Sequence, residues 1–354
     1  MKIIALTRYS RKGASSRMRF HIFFEELRKK GFDIEEKNLL DDEYLENIYS
    51  ENKIDLVYIL KRYLRRFLTL FKFYKYDLIW LEKELFPKSP ATFERLLSIL
   101  GAKMVVDFDD AVFHNYDQIE SNYSLKLLLK NKIDVVMRTS SLVLCGNSYI
   151  AKRANDAGAK NICIIPTVVD LERYQVKYSD NERIIIGWIG TPITDHSLDL
   201  IIPALEELSL KFDFSLKLIG TNRTLNNIHT INIPWSEEKE ASNIESIDIG
   251  IMPLKNLPME KGKCGYKLLQ YMASGKPVIG SSVGVNKDII KDGVNGFLAK
   301  EHQDWVDKLE ILIEDKQKRL SLGREGRKLV ERKYELNSAF KLLAGEFKKL
   351  KEQS

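Results

Sequence analysis

The sequence predicts an α/β protein built from two doubly wound parallel-sheet domains in tandem. Three observations carry this. Short, wholly apolar runs recur along the chain, as strands buried on both faces require. Amphipathic helical patterns fill the intervals between them. The alternation pauses at the polar stretch Pro166–Asn181 and then restarts. A chain of 354 residues is long enough for two domains of ordinary size.

Taken in order, Lys2–Thr7 is the first strand. Arg17–Lys30 is an amphipathic helix with Phe20, Phe23, Phe24 and Leu27 on one side. Further strands are expected at Ile54–Ile59, Leu78–Leu81, Lys103–Val106, Leu142–Cys145 and Ile162–Ile165. Helices are expected at Ala91–Leu100 and Ser124–Met137. Pro166–Asn181, polar and holding a Pro and a Tyr, is the natural linker. Beyond it the strands are Ile184–Ile189, Ser215–Ile219, Thr230–Ile233, Asp248–Met252 and Pro277–Ile279, with a helix at Leu198–Leu208. The domains are thus residues 1–165 and 166–335.

Composition excludes several classes. Hydrophobic content of 44% and aromatic content of 10% are globular, without low complexity or repeats. The net charge of +6 is mild and does not argue for nucleic acid. Cys145, Cys163 and Cys264 make neither a disulfide framework nor a zinc pattern, and a reducing compartment fits them. The apolar run in MKIIALTRYS is too short for a signal peptide. No segment approaches the ~20 apolar residues of a membrane span. The expected location is cytoplasmic, with the inner face of the cell membrane as an alternative.

The richest stretch is Gly262–Phe297, GKCGYKLLQYMASGKPVIGSSVGVNKDIIKDGVNGF. Tyr266, Leu268, Leu269 and Met272 form an apolar helical stripe, and Gly275 stands where a helix end takes a left-handed residue. Lys263 and Lys267 flank the start of this helix, where backbone N–H groups and the dipole suit a phosphate. The alternative is a pair of solvated lysines.

At LLQYMASGKPVI, GVNGFL and the upstream DIGIMPL, the chain resembles the retaining glycosyltransferases of family 4. That resemblance extends more weakly over nearly the whole chain. It implies the GT-B architecture, two Rossmann-like domains facing a cleft, with the final helix, residues 336–354, packing back on the first. It also implies a nucleotide-diphosphate sugar as co-substrate and no further cofactor. Two glutamates eight positions apart are usual in the family; here they are Gly262 and Gln270. Gln270 then stands where a ribose is held, and its amide can still pair with a diol. Gly262 leaves no side chain for the donor sugar.

Other residues join this reading. Gly190 and Thr191 lie in the turn GWIGTP after a strand; relatives place an Arg and a Lys there, and neither is present. Gly220 and Trp235 end the next strands, and Trp235 either stacks on a base or fills a core. Gly265 and Tyr266 open the helix beside Lys267. In the first half, Gly13 lies in the loop RKGASSRMR, and Arg17 and Arg19 open a helix where cations suit a nearby anion. The segment DFDDAVFH follows an apolar strand and offers Asp107, Asp109 and Asp110. Asp109 and Asp110 are read as acceptor-side carboxylates; a metal site and helix capping are the alternatives. The architecture implies that no metal is bound. Lys61–Lys75, KRYLRRFLTLFKFYK, is a basic aromatic helix. It either covers the first sheet or lies on an anionic membrane surface.

The expected activity is transfer of a sugar, with retention of configuration, to a hydroxyl of a glycan or lipid-linked glycan in envelope polysaccharide synthesis. Asp109, Asp110 and Lys267 are the expected catalytic residues. A non-catalytic nucleotide-sugar-binding partner protein is the alternative, and a sugar-nucleotide epimerase a more distant one.

Overall fold

The computed structural model describes residues 1–50, 52–118, 123–177 and 183–352. The chain divides into two compact units. The first is Met1–Thr167 with Gly262–Cys264 and Asn337–Ser354. The second is Val168–Lys261 with Gly265–Leu336.

The first unit holds strands β1 (Lys2–Leu6), β2 (Asp33–Glu36), β3 (Leu78–Glu82), β4 (Met104–Phe108), β5 (Leu142–Cys145) and β6 (Ile162–Ile164). They form one sheet in the order β2-β1-β3-β4-β5-β6, every pair parallel. Strands β3, β4 and β5 are buried from end to end, so neither face can take a polar alternation. Trp80 on β3 stacks on Phe20 at 4.2 Å and meets Phe347 edge-on at 5.2 Å. Phe347 belongs to the final helix, Leu336–Glu352; residues 353–354 lie outside the described residues.

Several elements differ from the sequence reading. The expected strand at Ile54–Ile59 is instead the start of a helix, Leu56–Leu70, capped by Asp55 on the Val57 N–H. The apolar run there continues at four-residue spacing, a helical period that the short window hid. Strand β2 gives no apolar signal because its sequence, DIEE, has three acidic residues in four and lies on a sheet edge. The Ser124–Met137 helix is two, Tyr123–Leu129 and Lys132–Thr139. The helix placed at Arg17–Lys30 begins at Ala14 and contains a π turn, Arg17–His21. That wide turn buries four consecutive residues, Arg17, Met18, Arg19 and Phe20.

The second unit holds β7 (Ile184–Ile189), β8 (Phe214–Ile219), β9 (His229–Ile233), β10 (Ile249–Met252), β11 (Val278–Ser281) and β12 (Phe297–Ala299). Their order is β12-β11-β10-β7-β8-β9, again all parallel. One face packs Trp188, Leu216 and Leu218 against Leu205, Trp305 and Leu309. The other packs Ile189 and Val278 against Leu268, Leu269 and Met272 of the helix Tyr266–Ala273. The expected linker Pro166–Asn181 is ordered where it is described: Val169 bridges to Glu335, and Tyr174 is buried in the second unit. Its residues 178–181 lie outside the described residues.

Candidate functional site

In open parallel sheets, ligands bind beyond the strand carboxyl ends where the winding reverses. In the second unit that point lies between β7 and β10. Gly190 follows β7 and Gly220 follows β8. The Gly190 N–H donates to the Ile219 carbonyl, and the Gly220 N–H to the Ile233 carbonyl. Gly220 has φ +90°, and a Cβ there would meet the Gly190 oxygen at 2.1 Å and the Trp235 Cβ at 3.2 Å. A Cβ on Gly190 would strike the Trp188 ring at 2.2 Å and the Lys267 ammonium at 2.8 Å. The structure therefore gathers Gly190, Gly220, Trp235 and Lys267 around one smooth patch of backbone.

Gly265, at φ +70°, is the N-cap of the Tyr266–Ala273 helix. From the first turn of that helix the Lys267 ammonium lies 3.9 Å from the centroid of the buried Trp188 ring. The indole holds the cation by its π face. Thr191 is occupied locally, forming a reciprocal capping box with Thr194.

Gln270 is buried and donates to the Tyr174 hydroxyl at 3.0 Å. Tyr174 donates in turn to Glu240 Oε1 at 3.2 Å, while Trp235 Nε1 donates to Glu240 Oε2 at 2.8 Å. Tyr174 has one hydroxyl proton. Since that proton serves Glu240, the neighbour at position 270 must donate. An amide can; an ionised carboxylate cannot. Trp235 is thereby tethered by its indole N–H rather than free to turn. Glu240 and Tyr174 escaped the sequence reading, because Tyr174 fell in the supposed linker.

In the first unit the winding reverses between β1 and β3. The loop after β3 supplies Lys83, a left-handed residue at φ 63°. Lys83 Nζ lies 2.8 Å from Asp109 Oδ1 and 3.9 Å from Asp110 Oδ2, and it donates to Ser15 Oγ at 3.1 Å. Burial works against the charge on Asp109, but Lys83 overcomes this and holds the carboxyl at about 2. Asp109 is thus a fixed anion turned toward Lys83, and Asp110 is the more exposed carboxylate of the pair. Glu84 is buried with Lys132, Tyr116 and Arg8. The sequence signal for this group was three charges, Glu82-Lys83-Glu84, directly after a wholly apolar strand.

Arg19 differs from its expected role. It is buried, with Nε donating to Asp107 Oδ1 at 2.8 Å and Nη1 to the Ile165 carbonyl at 2.7 Å. The anion beside it is Asp107, so its charge is satisfied inside the first unit. Burial still lifts Asp107 to about 6 against the pull of Arg19. Arg17 is also buried, donating to the carbonyls of Arg11 and Lys12. Gly13 packs on Tyr9, whose Cβ would lie 2.4 Å from an added Cβ.

Gly262–Cys264 belong to this first unit. Asn147 Nδ2 donates to the carbonyls of Gly262 at 2.9 Å and Lys263 at 3.2 Å. The Cys264 thiol donates to the Asp109 carbonyl at 2.7 Å, and Lys263 Nζ lies 3.7 Å from Asp110 Oδ1. A Cβ on Gly262 would sit 2.2 Å from the Ala111 Cβ and 2.8 Å from its nitrogen. The glycine at the first family-glutamate position is therefore required by close packing on Ala111. Lys263, expected to share a phosphate with Lys267, is placed beside Asp110. Among the described residues, no group of three or more His, Cys, Asp or Glu side chains is arranged to hold a metal ion.

Two doubly wound parallel sheets of six strands, with polar residues beyond their carboxyl ends, are the GT-B architecture of glycosyltransferases. Residues 179–329 match the family model described as glycosyl transferases group 1. The chain is 26% identical over 322 residues to the uncharacterized glycosyltransferase MJ1178 of Methanocaldococcus jannaschii, covering 86% of this chain and 87% of that one. It is 24% identical over 206 residues to TuaH of Bacillus subtilis, named as a putative teichuronic acid biosynthesis glycosyltransferase, covering 51% and 50%. Among solved structures, Anabaena HepE in complex with UDP-glucose superposes with a TM-score of 0.74 at 16% identity, over 99% of this chain and all of that one.

Proposed function

We propose that this chain is a retaining glycosyltransferase. It takes a sugar from a nucleoside-diphosphate sugar and passes it to a hydroxyl of a glycan or lipid-linked glycan in cell-envelope polysaccharide synthesis. The observation that carries the reading is the meeting of Lys267 and the Tyr266–Ala273 helix start with the bare backbone of Gly190 and Gly220. The diphosphate lies there and gains negative charge as the glycosidic bond breaks. An ammonium and helix amides already in position stabilise that charge more in the transition state than in the ground state. They do so without a bound cation. Asp110 meets the acceptor hydroxyl, and Asp109 with Lys83 fixes the backbone that presents it. The likeness to MJ1178 and TuaH supports the class of reaction, and the name of TuaH supports an envelope polysaccharide as the product.

Thermal-shift measurements with uridine, guanosine, cytidine and adenosine diphosphates and their sugars test the donor site. At least one should raise the melting temperature; a flat response to all of them would dismiss the reading. Transfer from the stabilising donor, radiolabelled in the sugar, then tests catalysis. The buried tie of Gln270 to Tyr174 favours one second reading, a nucleotide-sugar-binding partner protein. Tight binding without transfer to glycan or lipid-linked acceptors would select it.

A further inference from the structure

The helix Leu56–Leu70 is amphipathic the wrong way round for a protein in water. Two of its three arginines point inward. Arg66 is 3% exposed and donates from Nη2 to the carbonyls of Thr7 at 2.6 Å and Lys37 at 2.9 Å. Arg62 donates to the Leu39 carbonyl at 2.8 Å and pairs with Asp41 at 3.0 Å. Four of its five leucines point outward. Leu56, Leu60, Leu64 and Leu68 recur at four-residue spacing and are 83%, 69%, 54% and 56% exposed. Val57 and Phe71 are exposed beside them. Covering each such side chain is worth about 1.5–3 kcal/mol, so this stripe forgoes several contacts' worth of burial while it faces water. Contiguous apolar patches of this kind mark interaction sites.

The apolar face continues onto the next helix, Thr92–Ile99. Phe93 meets Phe67 edge-on at 5.4 Å, and exposed Leu96 and Leu100 lie three and seven residues after Phe93, on its side of the helix. Around the stripe, Lys61, Arg65, Lys72 and Lys75 are exposed, and no acidic residue occurs from Leu56 through Tyr76.

We propose that this face of the first unit docks on an anionic lipid bilayer. The leucine stripe enters the boundary between headgroups and acyl chains, and the four cations meet lipid phosphates, each worth about 1 kcal/mol near such a surface. A second copy of the chain fits less well. A two-fold contact through this face would set its cations against the same cations, with no carboxylate on the segment to offset them. Among the described residues no helix is long and apolar enough to cross a bilayer, so the helix lies on the surface. This inference does not depend on the transferase reading.

Co-sedimentation of the full chain with vesicles tests it. The protein should pellet with phosphatidylcholine vesicles that contain phosphatidylglycerol and remain in solution with phosphatidylcholine alone. The double variants Leu60→Ser/Leu64→Ser and Lys61→Glu/Arg65→Glu should each weaken binding by about tenfold or more, with unchanged melting temperatures. Added salt should weaken the wild type. Failure of the wild type to pellet with anionic vesicles overturns the proposal, as does undiminished binding by the leucine variant. A lipid-free dimer that the leucine variant abolishes would assign the face to a second copy instead.

Discussion

Lys83 Nζ sits 2.8 Å from Asp109 Oδ1, and both side chains are largely withdrawn from water. Neither charge has an inexpensive alternative. Removing one partner leaves the other buried and uncompensated, which costs more than the pair itself contributes.

Lys83→Met should therefore destabilise the first unit by about 3 kcal/mol at neutral pH and reduce transfer while sparing nucleotide affinity. The pH dependence has a definite sign. Asp109 is held at about 2, below its ordinary 3.8. Its contribution is full above the ordinary value and is lost as pH falls toward the lowered one. The stability gap between wild type and variant should thus narrow as pH drops from about 4 to about 2. A gap that stays constant in thermal melts across that range would show that the pair is not what the variant breaks.

Gly262→Ala should cost about 1–3 kcal/mol through overpacking, because the new methyl group would lie 2.2 Å from the Ala111 Cβ. Ala111→Gly in the same chain should return part of that loss. The return is partial because the Ala111 nitrogen, 2.8 Å away, remains. Denaturant titrations of the two single variants and the double variant measure the coupling. Simple additivity would mean that the two residues do not meet.

Gln270→Glu restores the usual family residue, yet it should destabilise the second unit by about 2 kcal/mol at pH 7. The new carboxylate would face a Tyr174 oxygen whose proton already serves Glu240. The deficit should shrink in acid, where the introduced carboxyl group carries a proton and can donate it. A variant as stable as wild type that also binds nucleotide more tightly would show that position 270 acts on ribose directly.

Lys267→Ala should lower donor use at least tenfold, while the melting temperature moves little. Inside the protein the variant gives up the Trp188 face, at 3.9 Å, worth about 1 kcal/mol. Steady-state transfer kinetics and a thermal melt check both halves. Unchanged kinetics would remove the lysine from the donor site.

Much of the fold was legible because buried parallel strands must be short apolar runs, and a run of Val, Ile and Leu can be read without neighbours. Strands β3, β5, β7, β10 and β11 announce themselves in this way. The mostly acidic edge strand β2 does not, nor does the helix from Leu56, whose first residues look like a strand until the four-residue spacing has had room to repeat. The site was legible in outline, from glycines and charges after apolar runs. Which of its charges are spent inside the protein was not.

By itself, then, the sequence determined the alternation of strands and helices, the two successive sheets and the stretches in which polar groups gather. Those depend on local periodicity. Tertiary structure decided that Arg19 answers Asp107, that Lys83 answers Asp109, that Tyr174 stands between Gln270 and Glu240, and that four of the five leucines of the Leu56–Leu70 helix face outward. Each is a pairing or an orientation set by groups far apart along the chain. Its energy depends on burial and distance, and neither exists until the chain has folded.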